Sequence, residues 1–275
     1  MKTWFITGAA AGLGMAIATA ALERGDRVAV AARNPEKARP LLDRFPDRTL
    51  PIVLDVTEAT KIGAAVAKAE QWAGGIDVLV NNAGRGMHGA IEEASDEEVR
   101  EIFDLNVFSL VNVTRAVLPI MRRQRSGHIL NVGSVAGLTA DAGTGFYSAT
   151  KFALEGISEA LNAEVSPLGI KVTVLEPGPF RTDFNGRSLQ FAARHIEDYE
   201  ATAGKRMAAL RAGSGKQSGD PAKAAELVCD IVALEKPPLH LCVGAAAIER
   251  ARAKIDRLLA DIGDWEERSI ATAFS

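Results

Sequence analysis

The sequence predicts an α/β fold, a doubly wound parallel sheet of about seven strands with helices on both faces. Short apolar runs alternate along the chain with longer segments of helical period, which is typical of consecutive βαβ units. The apolar runs are nearly continuous, so each strand is expected to be buried on both faces. The 275 residues contain no internal repeat and no Pro/Ser-rich linker, which predicts a single domain over residues 1–275.

The apolar runs and the helical segments follow one another in order. The predicted strands are Thr3–Thr7, Arg27–Ala32, Leu50–Leu54, Val78–Asn81, His128–Val132, Lys171–Leu175 and Leu239–Val243. The predicted helices are Met15–Arg24, Pro35–Phe45, Glu58–Trp72, Asp96–Gln124, Gly145–Val165, Pro221–Leu234 and Ala246–Ile262. Capping residues support several helix starts, as where Ser95 precedes Glu98 by three positions. The remaining long stretch, Pro177–Gly219, is irregular and glycine-rich, which predicts a substrate lid at residues 177–219.

Composition and charge exclude several classes of protein. With 32 Lys+Arg and 35 Asp+Glu the net charge is −3, whereas proteins that bind nucleic acid by bulk electrostatics are basic. A hydrophobic content of 47% is too high for a disordered chain. Two cysteines and four scattered histidines show neither a disulfide framework nor metal-ligand spacing, so no metal is expected. The N-terminus lacks a signal-peptide pattern and no apolar window approaches a membrane span, which predicts a cytoplasmic protein.

A glycine-rich turn, Thr7–Gly14, lies between the first predicted strand and the first predicted helix. Gly8, Gly12 and Gly14 let backbone N–H groups approach a pyrophosphate, which the helix N-terminus stabilises. The spacing differs from a strict Gly-x-Gly-x-x-Gly pattern, and a tight strand-to-helix corner is the alternative interpretation. The turn by itself therefore favours a phosphate site without establishing one.

The residues after the second and third strands indicate which dinucleotide is preferred. Many dinucleotide-binding folds place an acidic residue near the end of the second strand, but here Ala32 is followed by Arg33. A guanidinium pairs with a 2′-phosphate, so NADP(H) is favoured over NAD(H). A solvated Arg33 is the alternative, and Ala11 supplies no second basic residue from the turn. Asp55, after the third strand, is a candidate hydrogen-bond partner for the adenine.

Ser134, Tyr147 and Lys151 form the strongest constellation in the sequence. Tyr147 and Lys151 are four residues apart on a predicted helix and therefore project from one face. A phenol has a reference pKa of about 10, and a nearby ammonium is expected to lower it. Ser134 ends the fifth strand, and Asn81–Gly84 ends the fourth, so both lie at the carboxyl edge of the sheet where ligands bind. A half-exposed helix face and a polar turn are the alternatives for each motif alone.

Taken together, these motifs resemble those of the short-chain dehydrogenase/reductase family, in the single-domain branch with Thr-Gly-x-x-x-Gly-x-Gly and Tyr-x-x-x-Lys. The resemblance runs with its motifs in order from Thr3 to about Thr182. It implies a Rossmann-type fold and an NAD(P)-dependent enzyme acting on CH–OH or C=O groups. The implied catalytic residues are Asn106, Ser134, Tyr147 and Lys151. Tyr147 would be the acid/base, Lys151 would lower its pKa and bind the nicotinamide ribose, and Ser134 would orient the substrate oxygen. Asn106 would hold a water of a proton relay.

The motifs and the resemblance also predict the cofactor-binding residues, and some of these are shared with the catalytic set. They are Gly8, Ala10, Gly12, Leu13, Gly14, Arg33, Asp55, Val56, Asn82, Ala83, Gly84, Tyr147, Lys151, Pro177, Gly178 and Thr182. His88 follows the fourth-strand motif, and a surface-loop histidine is the favoured interpretation, with a substrate contact as the alternative. The resemblance further implies a homodimer or homotetramer. The apolar faces of the helix that carries Tyr147 are expected to pack in the core, although in this family that helix often forms a subunit interface.

The leading hypothesis is an NADP-dependent oxidoreductase that transfers a hydride between nicotinamide and a ketone or secondary alcohol, with a small hydrophobic substrate. A non-catalytic nucleotide-binding sensor on the same fold is a second hypothesis, although Tyr147 and Lys151 are both present. A third is an epimerase or dehydratase, which usually carries a larger substrate domain than this chain allows.

Overall fold

A central sheet of seven parallel strands organises the protein, in the order β3-β2-β1-β4-β6-β7-β9. The computed structural model describes residues 1–182, 184 and 189–274. The strands of this sheet are β1 Thr3–Thr7, β2 Arg27–Ala32, β3 Thr49–Val53, β4 Val78–Asn81, β6 Gly127–Val132, β7 Ile170–Pro177 and β9 His240–Val243. Two short strands, β5 Gly86–His88 and β8 Leu189–Phe191, pair in parallel outside it. The predicted doubly wound α/β fold is confirmed.

Helices cover the sheet and connect its strands. They are α1 Gly12–Glu23, α2 Arg39–Arg44, α3 Ala59–Ala73, α4 Asp96–Phe103, α5 Ser109–Gln124, α6 Gly145–Val165, α7 Lys205–Ala212, α8 Pro221–Ala233 and α9 Ala245–Ile270. Four predicted helices differ from the structure by three residues or more, and the first of them, α1, begins at Gly12 rather than at Met15. A 3₁₀ turn at Pro35–Ala38 precedes α2, a π-helical turn at Asp104–Phe108 separates α4 from α5, and α9 continues past Ile262.

Both faces of the sheet are buried, as the continuous apolar runs predicted. Successive residues of β1 point to opposite faces, so Trp4 and Ile6 enter one core and Phe5 enters the other. The first core also contains Ile17 of α1 and Val228 of α8. The second is completed by apolar residues of α3, α5 and α6, among them Ile62, Val113, Val117, Met121 and Leu161. This arrangement fixes the carboxyl ends of the strands against rigid helices.

The helical segment Asp96–Gln124 is long and apolar enough, by length and composition, to cross a membrane. The sequence analysis expected no such segment. In the fold its residues Val113, Val117 and Met121 are buried in the second core against the sheet. The segment therefore has the packing of a core helix, and its length reflects the two helices and the π-helical turn that it contains.

The stretch predicted as a lid, residues 177–219, contains more regular structure than expected. Besides β8 and α7 it holds a 3₁₀ turn at Glu197–Tyr199 and a π-helical turn at Glu200–Gly204. Carboxylates of the body accept hydrogen bonds from its backbone, with the Ile196 nitrogen 2.9 Å from Glu93 and the Ala193 nitrogen 3.0 Å from Glu98. Its Gly186 lies outside the described residues. Whether the stretch moves as a lid stays a prediction.

Candidate active site

The glycine-rich turn between β1 and α1 is held against the end of β4 by hydrogen bonds. The Asn82 side chain donates to the Thr7 carbonyl at 2.9 Å, and the Thr7 hydroxyl accepts from the backbone nitrogens of Asn82 and Ala83 at 3.0 Å each. Gly8 and Gly12 have φ values of +66° and +54°, a conformation that side chains rarely adopt. A Cβ atom on Gly14 would lie 2.4 Å from Asn82 Nδ2 and 2.7 Å from the Gly8 carbonyl oxygen. The turn therefore requires glycine at these positions.

The start of α1 suits an anionic group. Ala11 stands at the N-cap and has only a methyl side chain, so it cannot accept the N–H groups of the first helical turn. Such N–H groups and the positive end of the helix dipole favour a phosphate. Thr182, from the stretch after β7, lies beside Gly12, since its Cβ is 3.6 Å from a Cβ built on that glycine. Ala10 and Leu13 point inward and pack on the first core.

The ends of β2 and β3 bring Arg33 and Asp55 together. Arg33 is exposed and directly follows β2. Asp55 accepts hydrogen bonds from the backbone nitrogen and the hydroxyl of Thr57, at 3.0 and 2.7 Å. Burial opposes ionisation of Asp55, but these bonds and the Arg33 charge hold the pKa of its carboxyl below the usual value. Val56 beside it is buried, so this edge offers one exposed cation next to an ordered carboxylate.

Asn106 lies in the π-helical turn between α4 and α5, an irregularity that is frequent at functional sites. Its side-chain oxygen accepts from the Arg85 nitrogen at 3.0 Å, and its amide donates to the Arg85 carbonyl at 3.0 Å and to the Thr150 hydroxyl at 3.1 Å. Gly84 fits close beside it, since a Cβ there would be 3.1 Å from the Asn106 oxygen. These bonds tie the end of β4 to α6 next to Tyr147.

Ser134, Tyr147 and Lys151 meet at the carboxyl edge of the sheet. Tyr147 and Lys151 lie one turn apart on α6, and the Lys151 ammonium is 5.8 Å from the centre of the Tyr147 ring. Lys151 is buried and donates a 2.7 Å hydrogen bond to the carbonyl of Val132, at the end of β6. Ser134, two residues farther on, accepts a hydrogen bond from the Ala136 nitrogen at 3.1 Å. The structure thus brings together three of the four predicted catalytic residues, with Asn106 adjoining through Thr150.

Burial controls the protonation of Tyr147 and Lys151. Loss of solvation raises the pKa of Tyr147 to about 12, against a smaller opposing hydrogen bond with Ser134. Burial lowers the pKa of Lys151 to about 8, although the Glu155 carboxylate favours the ammonium. The expectation that Lys151 lowers the pKa of Tyr147 does not hold in this structure, because desolvation of the phenol dominates. The phenol of Tyr147 is consequently protonated, rather than ionised, at neutral pH.

Two aromatic rings lie near the ring of Tyr147. The centre of its ring lies 6.1 Å from that of Phe184 and 6.5 Å from that of His88. His88 in turn lies 6.1 Å from Phe191 on β8. The sequence analysis placed His88 in a surface loop, and this was wrong: the residue is only 6% exposed. Burial, with the nearby Arg206 charge, lowers its pKa to about 4, so His88 is neutral at pH 7.

Pro177 and Gly178 leave the sheet at the next strand end. Pro177 is the last residue of β7, two residues farther than predicted, and pairs with Val243 of β9. The Gly178 nitrogen donates to the Val243 carbonyl at 3.0 Å. A Cβ on Gly178 would lie 3.2 Å from the Ala247 nitrogen, so the start of α9 closes over this turn. The first residues of the predicted lid, Pro177 and Gly178, are therefore fixed to the end of the sheet.

Comparison with known proteins decides the family. The family model described as short chain dehydrogenase matches residues 2–192, which include the glycine-rich turn, Ser134, Tyr147 and Lys151. The chain belongs to the short-chain dehydrogenase family. It is accordingly an NAD(P)-dependent oxidoreductase on a Rossmann-like fold.

Relatives match this dehydrogenase along nearly its whole length. "Oxidoreductase BOA17" of Botryotinia fuckeliana is 41% identical over 99% of both chains. A solved short-chain dehydrogenase from Streptomyces avermitilis is also 41% identical over 99% of both chains, with a TM-score of 0.93. The "3-ketodihydrosphingosine reductase" of Bacteroides thetaiotaomicron is 38% identical over 87% of this chain and 86% of its own. Structural neighbours at 25% and 29% identity carry NADH and NADP⁺ respectively, so the comparisons leave the choice of cofactor open.

A charged cluster lies behind Lys151 in this dehydrogenase. His240 Nδ1 is 3.0 Å from Glu176 Oε1 and 3.3 Å from Glu155 Oε2, and Glu155 is one turn after Lys151 on α6. Burial and the Glu176 charge raise the pKa of Glu155 to about 7. The three groups come from α6, β7 and β9, so residue spacing in the sequence could not predict their meeting. Their ligand atoms lie within 4.8 Å of one another, and a metal-free protein stays a prediction.

Proposed function

We propose that the protein is an NADP(H)-dependent oxidoreductase that interconverts a hydrophobic ketone and its secondary alcohol, with Tyr147 as the acid/base. The observation that carries this proposal is the half-buried phenol of Tyr147 beside Ser134 and Lys151, at the strand edge that also bears the glycine-rich turn. When bound, the nicotinamide supplies the hydride in reduction and accepts it in oxidation.

The protein's own residues supply the proton and the orientation. Tyr147, with its pKa near 12, donates its proton to the carbonyl oxygen while the carbonyl carbon is reduced. Ser134 adjoins the Tyr147 hydroxyl and donates a hydrogen bond to the same substrate oxygen. Lys151 is held in place by the Val132 carbonyl, and its charge stabilises the phenolate that is left after proton transfer. Oxidation of the alcohol runs through the same groups in reverse.

The residues of the glycine-rich turn fit the diphosphate of a dinucleotide. The close approach of Gly14 to Asn82 and the uncapped start of α1 leave backbone N–H groups as the binding surface. Ser134, Tyr147 and Lys151 would face the nicotinamide end, with Thr182 near Gly12 closing the site. Arg33 would hold the 2′-phosphate of NADP(H), because it is exposed and follows Ala32, where an NAD-binding chain often has a carboxylate.

The aromatic surroundings of Tyr147 support a hydrophobic substrate. Phe184, Phe191 and neutral His88 form an apolar wall on one side of the phenol. The relative named 3-ketodihydrosphingosine reductase supports a ketone on a long alkyl chain. Burial of each CH₂ group against such a wall stabilises binding by about 0.8 kcal/mol. Longer alkyl ketones are therefore the preferred substrates in this proposal.

The test is NADPH oxidation, followed at 340 nm, against a series of 3-keto compounds with increasing alkyl length. We expect turnover with these ketones and a kcat/KM that rises with chain length. A matched series of nucleotide sugars tests the epimerase alternative. Tight NADPH binding without turnover of any carbonyl compound would instead support the non-catalytic sensor and contradict the proposal.

A further inference from the structure

Helix α9 begins on the body of the protein and then leaves it. Ala247 and Ala251, in its first two turns, are 0% and 6% exposed. Beyond them the apolar residues on the same side of the helix are exposed, from Ile255 at 55% to Leu259 at 61% and Trp265 at 59%. Contiguous exposed apolar surface of this kind marks an interaction site. A second molecule is therefore needed to cover the outer part of α9.

The apolar positions of α9 follow a seven-residue repeat. One series consists of Ile248, Ile255 and Ile262, and a second series, three residues later each time, consists of Ala251, Leu258 and Trp265. Alternating spacings of three and four give the a and d positions of a two-helix coiled coil. Such a seam is narrower than the face of a helix that packs on a sheet. The pattern thus favours another helix as the partner.

The charges beside the seam indicate a second α9 that runs antiparallel. With Ile255 of one copy opposite Leu258 of the other, Lys254 faces Asp261 of the second copy. In the same register Arg252 lies beside Leu259 of the second copy, and the Lys254–Asp261 contact occurs twice by symmetry. A parallel pair would instead place Asp261 beside Glu266 of the second copy, two like charges. The antiparallel pair therefore places opposite charges beside the seam, whereas the parallel pair places like charges there.

A lipid surface is disfavoured by the same charges. Helices that lie on membranes carry an excess of Lys and Arg on the polar face. Between residues 245 and 270 there are five Lys or Arg and six Asp or Glu, a net charge of 5 − 6 = −1. Anionic headgroups would repel this helix.

We propose that α9 pairs antiparallel with α9 of a second copy of this chain, as an isologous contact with twofold symmetry.

The first test is the mass of the full chain by light scattering coupled to size exclusion. The double variant Ile255→Glu/Leu259→Glu should halve the mass of the wild-type assembly, because it places four carboxylates in the seam. Ala253→Glu, on the exposed opposite side of α9, should leave the mass unchanged. A wild type that is already monomeric, or a double variant of unchanged mass, overturns the proposal. Folding of each variant is checked by circular dichroism and its melting temperature.

The second test concerns orientation and does not depend on enzymatic activity. Lys254→Asp alone should weaken association, since it faces Asp261 of the second copy, and adding Asp261→Lys should restore the wild-type mass. Failure of the second change to restore the mass contradicts the antiparallel pair. Wild-type protein is also mixed with vesicles of phosphatidylcholine and phosphatidylglycerol. Binding that is lost in Leu259→Glu would assign the surface to lipid and overturn the proposal.

Discussion

The turn between β1 and α1 and the stretch between β7 and α8 both border the candidate site, but they are held in different ways. The turn is fixed by close backbone approach, with Gly14 against Asn82 and the Gly8 carbonyl. The stretch is held by the short β5–β8 pairing and by partly exposed side-chain contacts, such as the 2.8 Å ion pair of Arg206 with Asp141. Partly exposed side-chain contacts of this kind can break and re-form at a small cost in free energy. A rigid turn is expected to hold a cofactor that is the same in every reaction cycle. A stretch whose contacts can open is expected to admit and cover the substrate.

Replacing Gly14 by Ala should have the largest effect on stability, because it disturbs the rigid turn between β1 and α1. The added Cβ would meet Asn82 and the Gly8 carbonyl, and overpacking of this kind costs about 1–3 kcal/mol. We expect a lower urea midpoint and NADPH binding weakened by about tenfold or more. Gly63→Ala is the matched control, since nothing lies within 4 Å of its Cβ and α3 should gain about 0.5–1 kcal/mol. Equal stability of the two variants would contradict the account.

The choice of cofactor tests the cofactor side of the site through binding affinity rather than stability. A charge-assisted hydrogen bond contributes about 1.5–3 kcal/mol, so Arg33→Ala should reduce the preference for NADPH over NADH by about ten- to hundredfold. Fluorescence titration of both cofactors measures this. Arg115→Ala, at an exposed position on α5, is the control and should leave the ratio unchanged. Equal wild-type affinities for the two cofactors would disprove the role of Arg33.

Lys151 lies between the two regions, and its burial makes the free energy of unfolding depend on pH. Its pKa is about 8 in the folded protein and near 10.5 in the unfolded chain. Between these values the unfolded chain binds more protons, so raising the pH favours the folded state. From pH 8 to pH 9 the stability of the wild type should rise relative to Lys151→Met by about 1 kcal/mol. Urea unfolding of both proteins at both pH values measures this change. If the stability difference between wild type and Lys151→Met is the same at pH 8 and pH 9, the lowered pKa of Lys151 is contradicted.

Limited proteolysis and hydrogen exchange test whether the stretch between β7 and α8 moves when ligands bind. If residues 177–219 close over the site, NADPH together with a long-chain ketone should slow exchange across β8 and α7 by a few-fold, with little change in β1 and β4. The Glu93 and Glu98 contacts are the expected hinge points. Full protection before any ligand is added, unchanged afterwards, would show a permanently packed segment.

The parts of this molecule that follow from local spacing were predictable. Six of the seven strands of the main sheet begin and end within one residue of the prediction, because continuous apolar runs bounded by turns specify them. The pair Tyr147 and Lys151 is a consequence of helical periodicity. Its surroundings were not predictable, since the pKa of Tyr147 depends on how much solvent the rest of the fold removes.

Contacts between distant segments account for what the sequence did not reveal. His88 is buried because β5 pairs with β8, about one hundred residues later, and no local pattern indicates that pairing. Glu155, Glu176 and His240 likewise meet only when α6, β7 and β9 are assembled. The predicted end of α9 at Ile262 was too early, and the apolar seam that runs beyond it was not identified. Such features depend on tertiary structure rather than on periodicity.

The most direct test of the central claim is a comparison of the two tyrosines of the chain, Tyr147 and Tyr199. Tyr199 donates to Glu92 on the surface and serves as the control. Tyr147→Phe should fold, bind NADPH like the wild type and lose about 10²–10⁴-fold of ketone turnover, because only the transferable proton is removed. Tyr199→Phe should keep full turnover. Turnover by Tyr147→Phe within about tenfold of the wild type would contradict its role as the acid/base.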